Sequence, residues 1–361
     1  MSKVVIAKLM GGLALGLFIF SVLLSFLGYE LPTALIWADV IVVLGFFGYY
    51  TYSQKIGAYV TKRLLEAGVT LFVIATLTFG LLRVIPGGPF DEEKALPPEV
   101  KASIEAKYNL DKPIYVQYGK YLLGLAQGDL GESYKYLGRP VSVMIAETLP
   151  PTFQLGIFSL IICYLIGIPA GLIAAARHNS WVDSTAMVGA ISGVALPSFV
   201  VAAVLILLFS FEWSLLPAAL WDGPTYYILP VIALGTRPAA VIARLTRASV
   251  LEVIHSDYIR TAKAKGLGYW TILFKHVLKN SLIPTLTFSG PLISGLLTGS
   301  FIIEFMFAIP GMGKHLIQSV TNRDYPLILG MTLLYSAILV LANLIVDLLY
   351  SYFDPRIKLD K

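Results

Sequence analysis

The 361-residue chain has a single cysteine, Cys163, and no cluster of Cys and His. It can form no internal disulfide and offers no structural zinc site. Charge is equally sparse. Asp, Glu, Lys and Arg make up only 14% of the residues, against about 25% in a soluble globular protein, too few to cover a water-facing surface. There is no G-x-x-x-x-G-K-[ST] phosphate loop; Gly311-Met312-Gly313-Lys314-His315 comes nearest and lacks both the spacing and the hydroxyl residue. Nucleotide hydrolysis by that route is excluded. An H-E-x-x-H zinc string is absent too, and His178, His255, His276 and His315 all fall in loops or at interfaces, which leaves no intramembrane Ser/His dyad. Repeats and low-complexity tracts are also missing.

Apolar residues are abundant: they make up 57% of the chain, and mean hydropathy is +0.77. Uncharged or nearly uncharged windows lie at 9–29, 31–54, 64–82, 148–176, 184–211, 223–243, 280–303 and 325–346. Each is long enough to cross about 30 Å of hydrocarbon as a helix. The fold class is an all-α polytopic membrane protein with about eight transmembrane helices. The first window follows Lys3 and Lys8, like a signal peptide, but its apolar run is longer and no A-x-A-like site follows, so it reads as a retained helix. Eight spans put both termini on one side. The short loops there and the termini hold sixteen Lys and Arg, from Lys3 to Lys361, against Lys314 and Arg323 opposite. The richer side is cytoplasmic. Topology accounts for the net charge of +5, so the implied partner is the lipid bilayer and no nucleic acid is needed.

The opposite side carries one long segment, about 86–147, opening with the helix stop Pro86-Gly87-Gly88-Pro89. A short helix is expected from Glu99 to Lys107, and a turn from Gly128 to Tyr134. Ionisable residues inside the windows are costly and so are candidates for function. Arg237 stands beside Pro238 in the middle of the sixth window, either on a translocation path or pairing within the bundle. Arg83, Asp39 and Asp347 lie near span ends and are expected to reach headgroups. Glu304 lies at an outer end, as part of an outer gate or of an interfacial belt with Phe305 and Phe307. Pro169, Pro197 and Pro284 offer kinks.

On the cytoplasmic side an unusually long loop, 244–280, separates the sixth and seventh windows. Ser249 with Glu252 fits a capping box. Ser256 or Asp257 can cap a second short helix through Lys265, with Gly266 at its left-handed end. A third helix starts near Tyr269-Trp270. In the middle helix Tyr258, Ile259 and Ala262 can share one face, with Arg260, Lys263 and Lys265 around the rest, and Thr261, Ala262 and Ala264 allow close approach. Such a helix either lies on anionic headgroups or docks a soluble partner.

The run Arg260-Thr261-Ala262-Lys263-Ala264-Lys265-Gly266 resembles the EAA loop of importer-type ABC transporter permeases. Arg and Thr replace the usual Glu and first Ala, and the later I-x-L-P element is altered to His276-Val277-Leu278-Lys279. Those departures match the dipeptide/oligopeptide branch, whose D-Y-[IV]-R-T-A-[KR]-A-K-G-L string is reproduced from Asp257 to Leu267. Leu82 to Gly87, Gly128 to Tyr134, Leu196-Pro197-Ser198-Phe199, Phe307 to Gly313, Arg323-Asp324-Tyr325-Pro326 and Asp354-Pro355-Arg356 also resemble the B-type subunit, in the family's order. The resemblance covers about 57–358 and implies a six-helix permease domain. Residues 1–56 are then an extra two-helix region of unassigned role, and 359–361 a cytoplasmic tail. It further implies a non-enzymatic subunit of a peptide importer in a prokaryotic inner membrane. The expected partners are a homologous second permease, two ATP-binding subunits that hold ATP and Mg, and an extracytoplasmic solute-binding protein. Asp257, Tyr258, Arg260, Thr261, Ala262, Lys263, Ala264, Lys265 and Gly266 would couple to the ATPases; Arg237, Pro197, Ser198 and Glu304 are candidates for the translocation path. A self-sufficient secondary transporter or channel would instead show inverted repeats and paired broken helices, which are not detected.

Overall fold

The computed structural model describes residues 57–85, 88–90 and 98–353. The first two apolar windows, Asp39, Pro86-Gly87 and Asp354-Pro355-Arg356 lie outside the described residues. Within them the chain is helical, with one isolated bridge between Glu132 and Pro140. The helices are α1 (Gly57–Val84), α2 (Pro98–Lys107), α3 (Ile114–Ala126), α4 (Val141–Ala176), α5 (Trp181–Ala195), α6 (Ser198–Leu205), α7 (Pro224–Val253), α8 (Asp257–Ala264), α9 (Tyr269–Thr271), α10 (Leu278–Ser281), α11 (Ile283–Leu297), α12 (Phe301–Met306), α13 (Met312–Thr321) and α14 (Tyr325–Phe353). Two stretches are π-helical: Ile206–Glu212 after α6 and Ile272–Val277 between α9 and α10.

Five segments are long and apolar enough to cross a membrane: Tyr59–Val84, Val141–Ala176, Pro224–Val253, Ile283–Met306 and Tyr325–Asp347. The pair α5 and α6 makes a sixth only as a broken span, bent by 106°. The expectation of one kinked helix over 184–211 is therefore corrected. Leu196 is extended (φ −81°, ψ 127°), as a residue before proline prefers, and Pro197 restarts the chain as the cap of α6.

Two spans outrun their apolar windows for one reason. At the start of α4, Val141, Met144 and Ile145 are buried against Met312, Leu327 and Met331, so the helix persists on a packed face where the charge-free window stops. At the end of α7, Thr246, Ser249 and Val250 are buried. Ser249 is thus an enclosed mid-helix residue, and the expected capping box with Glu252 does not form.

α4 and α7 form the central pair. A Cβ built on Gly167 would lie 2.7 Å from the Ala239 carbonyl oxygen, and one on Gly171 would lie 2.7 Å from Thr246 Cβ. Only glycine permits this approach, and the Gly167-x-x-x-Gly171 spacing presents both on one face. Around the pair, Leu155, Phe158, Tyr227, Leu229 and Phe307 close one core, with Trp221 Nε1 donating to Gln154 Oε1 at 3.1 Å.

Two of the charges near span ends are held by protein. Arg63 pairs with Asp347 at 2.9 Å, and Tyr59 Oη donates to the same carboxylate at 3.1 Å, joining α1 to α14. Arg83 lies over the rings of Phe79 and Tyr325, 5.1 and 5.3 Å from their centroids. Each finds a partner inside the bundle, so neither needs a headgroup.

Candidate functional site

The loop after α7 is built around a short helix with two unlike faces. Ser256 is extended (φ −69°, ψ 153°), and its Oγ donates back to the Val253 carbonyl at 2.6 Å; the hydroxyl tightens the entry turn without capping α8. On α8, Ile259 is fully buried and Ala262 is 7% exposed. They pack with Leu172, Val250, Ile272 and Val277, so burial of the Ile259 side chain stabilises the contact by about 1.5–3 kcal/mol. Tyr258 was expected on this face but sits at its edge, 43% exposed. Its hydroxyl donates to the His276 carbonyl at 3.3 Å and accepts from Asn280 Nδ2 at 2.8 Å, tying α8 to α10.

The outer face is open. Asp257, Arg260, Thr261, Lys263, Ala264, Lys265 and Gly266 are all exposed; Arg260 and Asp257 form a loose pair at 3.6 Å, worth little in water. The helix ends as its sequence predicts. Gly266 is left-handed at φ +75°, its N–H bonds the Lys263 carbonyl at 2.9 Å, and Leu267 N–H bonds the Ala262 carbonyl at 3.4 Å. These two bonds define a Schellman stop. The third helix also begins where expected, at Tyr269, although it passes through the π-helical stretch before the next span.

A buried ion pair, which sequence reasoning missed, stands two turns before α8. Arg247 Nε contacts Asp183 Oδ1 at 2.6 Å, and its Nη2 donates to Asp183 Oδ2 at 2.7 Å. His178 Nδ1 lies 3.2 Å from Oδ2, and Asn179 N–H donates to it at 3.0 Å. The Asp183 side chain is only 5% exposed. This clamp fixes the α4–α5 turn to the part of α7 that leads into the loop. The available signal was Ser180-x-x-Asp183, a helix-start pattern in which Ser180 Oγ accepts from Asp183 N–H.

The candidates for the path separate. Arg237 is exposed midway along α7 and forms no ion pair among the described residues; Arg244, two turns on, is exposed too. Pro197 is exposed and Ser198 half-buried at the α5–α6 break. Glu304, by contrast, is fully buried, which removes it from any open gate or interfacial belt in this chain. Its Oε1 accepts from Thr152 Oγ1 at 3.1 Å and its Oε2 from Gly313 N–H at 2.7 Å, while Met312 N–H donates to Thr152 Oγ1 at 2.8 Å. At the start of α13 the Glu304 carboxyl group thus meets the free N–H of Gly313 and Thr152 that of Met312. The string nearest to a phosphate loop therefore has its anion site filled by the protein's own glutamate.

At the other end of the bundle, two motifs that are separate in sequence meet. Asp324 is buried, accepts a short hydrogen bond from Ser133 Oγ, and accepts from Tyr134 N–H at 3.0 Å. The turn after α3 is thus pinned to the start of α14. Nearby, His315 Nδ1 is buried without a partner; burial, reinforced by Lys314 and Arg139, pushes the imidazole below its ordinary value. The neutral form is favoured in the folded protein, so this contribution to stability is present above about pH 6.5 and is lost as the pH falls. The thermal midpoint should drop between about pH 7.5 and pH 5.5, and His315→Gln should flatten that drop; an equal slope in the variant would refute the assignment.

These features define a class: a multi-pass all-α membrane protein with a broken span and a short helix exposed on one face. Two family models match the chain. "Binding-protein-dependent transport system inner membrane component" matches residues 167–359, and the N-terminal model of the same component matches 57–155. The dipeptide transport system permease protein DppB of Bacillus subtilis is 46% identical over 303 residues, 84% of this chain and 98% of the relative. The oligopeptide transport system permease proteins OppB of Haemophilus influenzae and Escherichia coli are 46% and 44% identical over 302 residues, 83% of this chain and 99% of each relative. The chain belongs to the binding-protein-dependent transport system inner membrane component family.

Proposed function

We propose that this chain is a permease subunit of an ABC importer that moves dipeptides or oligopeptides, driven by ATP hydrolysis on separate subunits. The observation that carries this reading is the 44–46% identity along 98–99% of relatives named as peptide-system permeases. The chain itself is no enzyme. Its partners are a homologous second permease, two ATP-binding subunits carrying ATP and Mg, and an extracytoplasmic solute-binding protein. The Lys and Arg excess puts 244–280 and both termini in the cytoplasm and the 86–147 segment outside, in the inner membrane of a prokaryote.

In this reading the outer face of α8, from Asp257 to Gly266, sits on an ATPase. Ile259 and Ala262 anchor the helix to the bundle, Tyr258 braces it, and Arg260, Lys263 and Lys265 supply ion pairs. Closure of the ATPases pushes α8, and the Arg247–Asp183 clamp passes the push to α5 as well as α7. The spans then rock as stiff bodies, and the Pro197–Ser198 break lets α6 move apart from α5. Arg237 faces the second permease and the path between the subunits, because a mid-span cation on lipid is costly. Glu304 holds α13 to α4 beside that path.

Gentle detergent extraction from native membranes, followed by mass spectrometry, tests the assembly. A second permease and P-loop ATPases should co-purify, and proteoliposomes of the complex with its binding protein should take up labelled dipeptide only with ATP. Uptake by this chain reconstituted alone would defeat the proposal in favour of a secondary transporter.

A further inference from the structure

A cavity of about 290 Å3 lies between the end of α1, helix α3, the Asp129–Tyr134 turn and the start of α14. Neither α7 nor α8 lines it. Four of its rings form two pairs: Phe79 with Tyr121, centroids 5.5 Å apart, and Tyr134 with Tyr325, 6.1 Å apart. Arg83 also lines it, and among the described residues its guanidinium has rings against it and no hydrogen-bond acceptor. Lys120 stands on another wall, donating to Asn109 Oδ1 at 2.6 Å. The Lys112 ammonium beside it holds the Lys120 amine below its usual value, against the opposite pull of Asp111. Asp129 supplies the one acid of the lining, exposed and bonded through Oδ1 to Gly131 N–H at 2.8 Å.

Three lining residues carry a buried polar atom without a partner: Tyr108 Oη, Gln117 Oε1 and Tyr121 Oη. The Gln117 amide nitrogen is already committed to the Leu110 and Lys112 carbonyls, so its oxygen is an acceptor with nothing to accept. Buried orphans of this kind are costly and collect where a ligand or water completes them. Cations, an acid, a spare acceptor and aromatic walls in one cavity match a molecule that carries both charges and an apolar body.

We propose that this cavity binds a small zwitterion of the α-amino-acid type, either a free amino acid or a dipeptide with an aromatic or aliphatic side chain. Its carboxylate is taken by Arg83 and Lys120, the ammonium by Asp129 and Gln117 Oε1, and the side chain by the rings. A volume near the lower end of the roughly 300–1,000 Å3 range of small-molecule pockets limits the occupant to one or two residues. Asp129 on the rim disfavours a phosphate monoanion, and two acyl tails do not fit. The charge pattern belongs to this cavity whatever the bundle carries, so the site and the cargo are tested separately.

The test is equilibrium dialysis of the purified full-length chain, or its complex, with labelled alanyl-phenylalanine, its C-terminal amide and its N-acetyl derivative. The free dipeptide should bind, with either blocked form at least tenfold weaker. Arg83→Gln should weaken binding at least tenfold, and Lys120→Gln, a change at an exposed side chain that spares the core, at least threefold. Unchanged affinity in both variants overturns the site, as does equal binding of the amide. Failure of the dipeptide to bind while phosphatidylethanolamine protects the chain in an Arg83-dependent way makes it a lipid site and also overturns the proposal. Arg83-dependent binding without peptide uptake by the assembly would refute the cargo reading and leave this site standing; uptake without such binding would do the reverse.

Discussion

Ala262→Glu should abolish ATP-driven uptake, by at least a hundredfold, while the protein still reaches the membrane. Ala262 is 7% exposed and packs into the cluster that holds α8 to the bundle. Glutamate there overfills a close contact, at about 1–3 kcal/mol, and also brings in a carboxylate without a buried partner. Eight residues are far too few for a helix to persist unaided in water, so α8 exists because Ile259 and Ala262 are packed. Releasing it disconnects the lever and leaves the spans intact. Gly266→Asp attacks the other end and should cause the same loss. A Cβ there meets nothing within 4 Å, but a left-handed residue other than glycine costs roughly 1–2 kcal/mol, and the stop that aims Leu267 back at Ala262 is weakened. Immunoblots of membrane fractions beside labelled-dipeptide uptake decide the matter, with Ala262→Ser as the conservative control. Normal uptake in Ala262→Glu would sink the docking role of α8.

The second large effect is on stability. Asp183→Ala leaves Arg247, 24% exposed, without its two carboxylate contacts, and removing one partner of a buried pair costs about 3–5 kcal/mol. Partial exposure of the guanidinium puts the expected loss near 3 kcal/mol, or roughly 4 °C in thermal midpoint for a chain of this size. Asp183→Leu combined with Arg247→Met should recover much of that loss, because the double variant buries no lone charge. A double-mutant cycle in detergent reads the coupling directly. Additive effects would show that the pair is incidental.

Much of this was readable in the sequence, and the failures share a cause. The apolar windows located the spans from α1 to α14 because absence of charge over some twenty residues is a one-dimensional property. Local chemistry was equally legible: α2 begins at Pro98 and Gly266 ends α8, each set by its own backbone preference. What window reading lost was one-sided burial. Residues 141–147 and 244–253 carry charges, so they looked like loop, yet Met144 and Val250 keep them helical by packing on one face. Leu196-Pro197 was taken for a kink, although a residue before proline prefers an extended backbone and the span breaks there. Asp183 was invisible as a site because Arg247 is 64 positions away. Glu304 was assigned by its neighbours in the chain, Phe305 and Phe307, while its actual partners Thr152 and Gly313 come from elsewhere in the fold.

Arg237 carries a consequence for supply. Among the described residues nothing covers Arg237 at the middle of α7, the most buried of the spans, and in the proposed assembly the sibling permease does. Copies made in excess of that sibling have nowhere to hide the charge, and become the natural prey of membrane proteases. In that proposed assembly, production of the two permeases in step, one for one, keeps α7 covered.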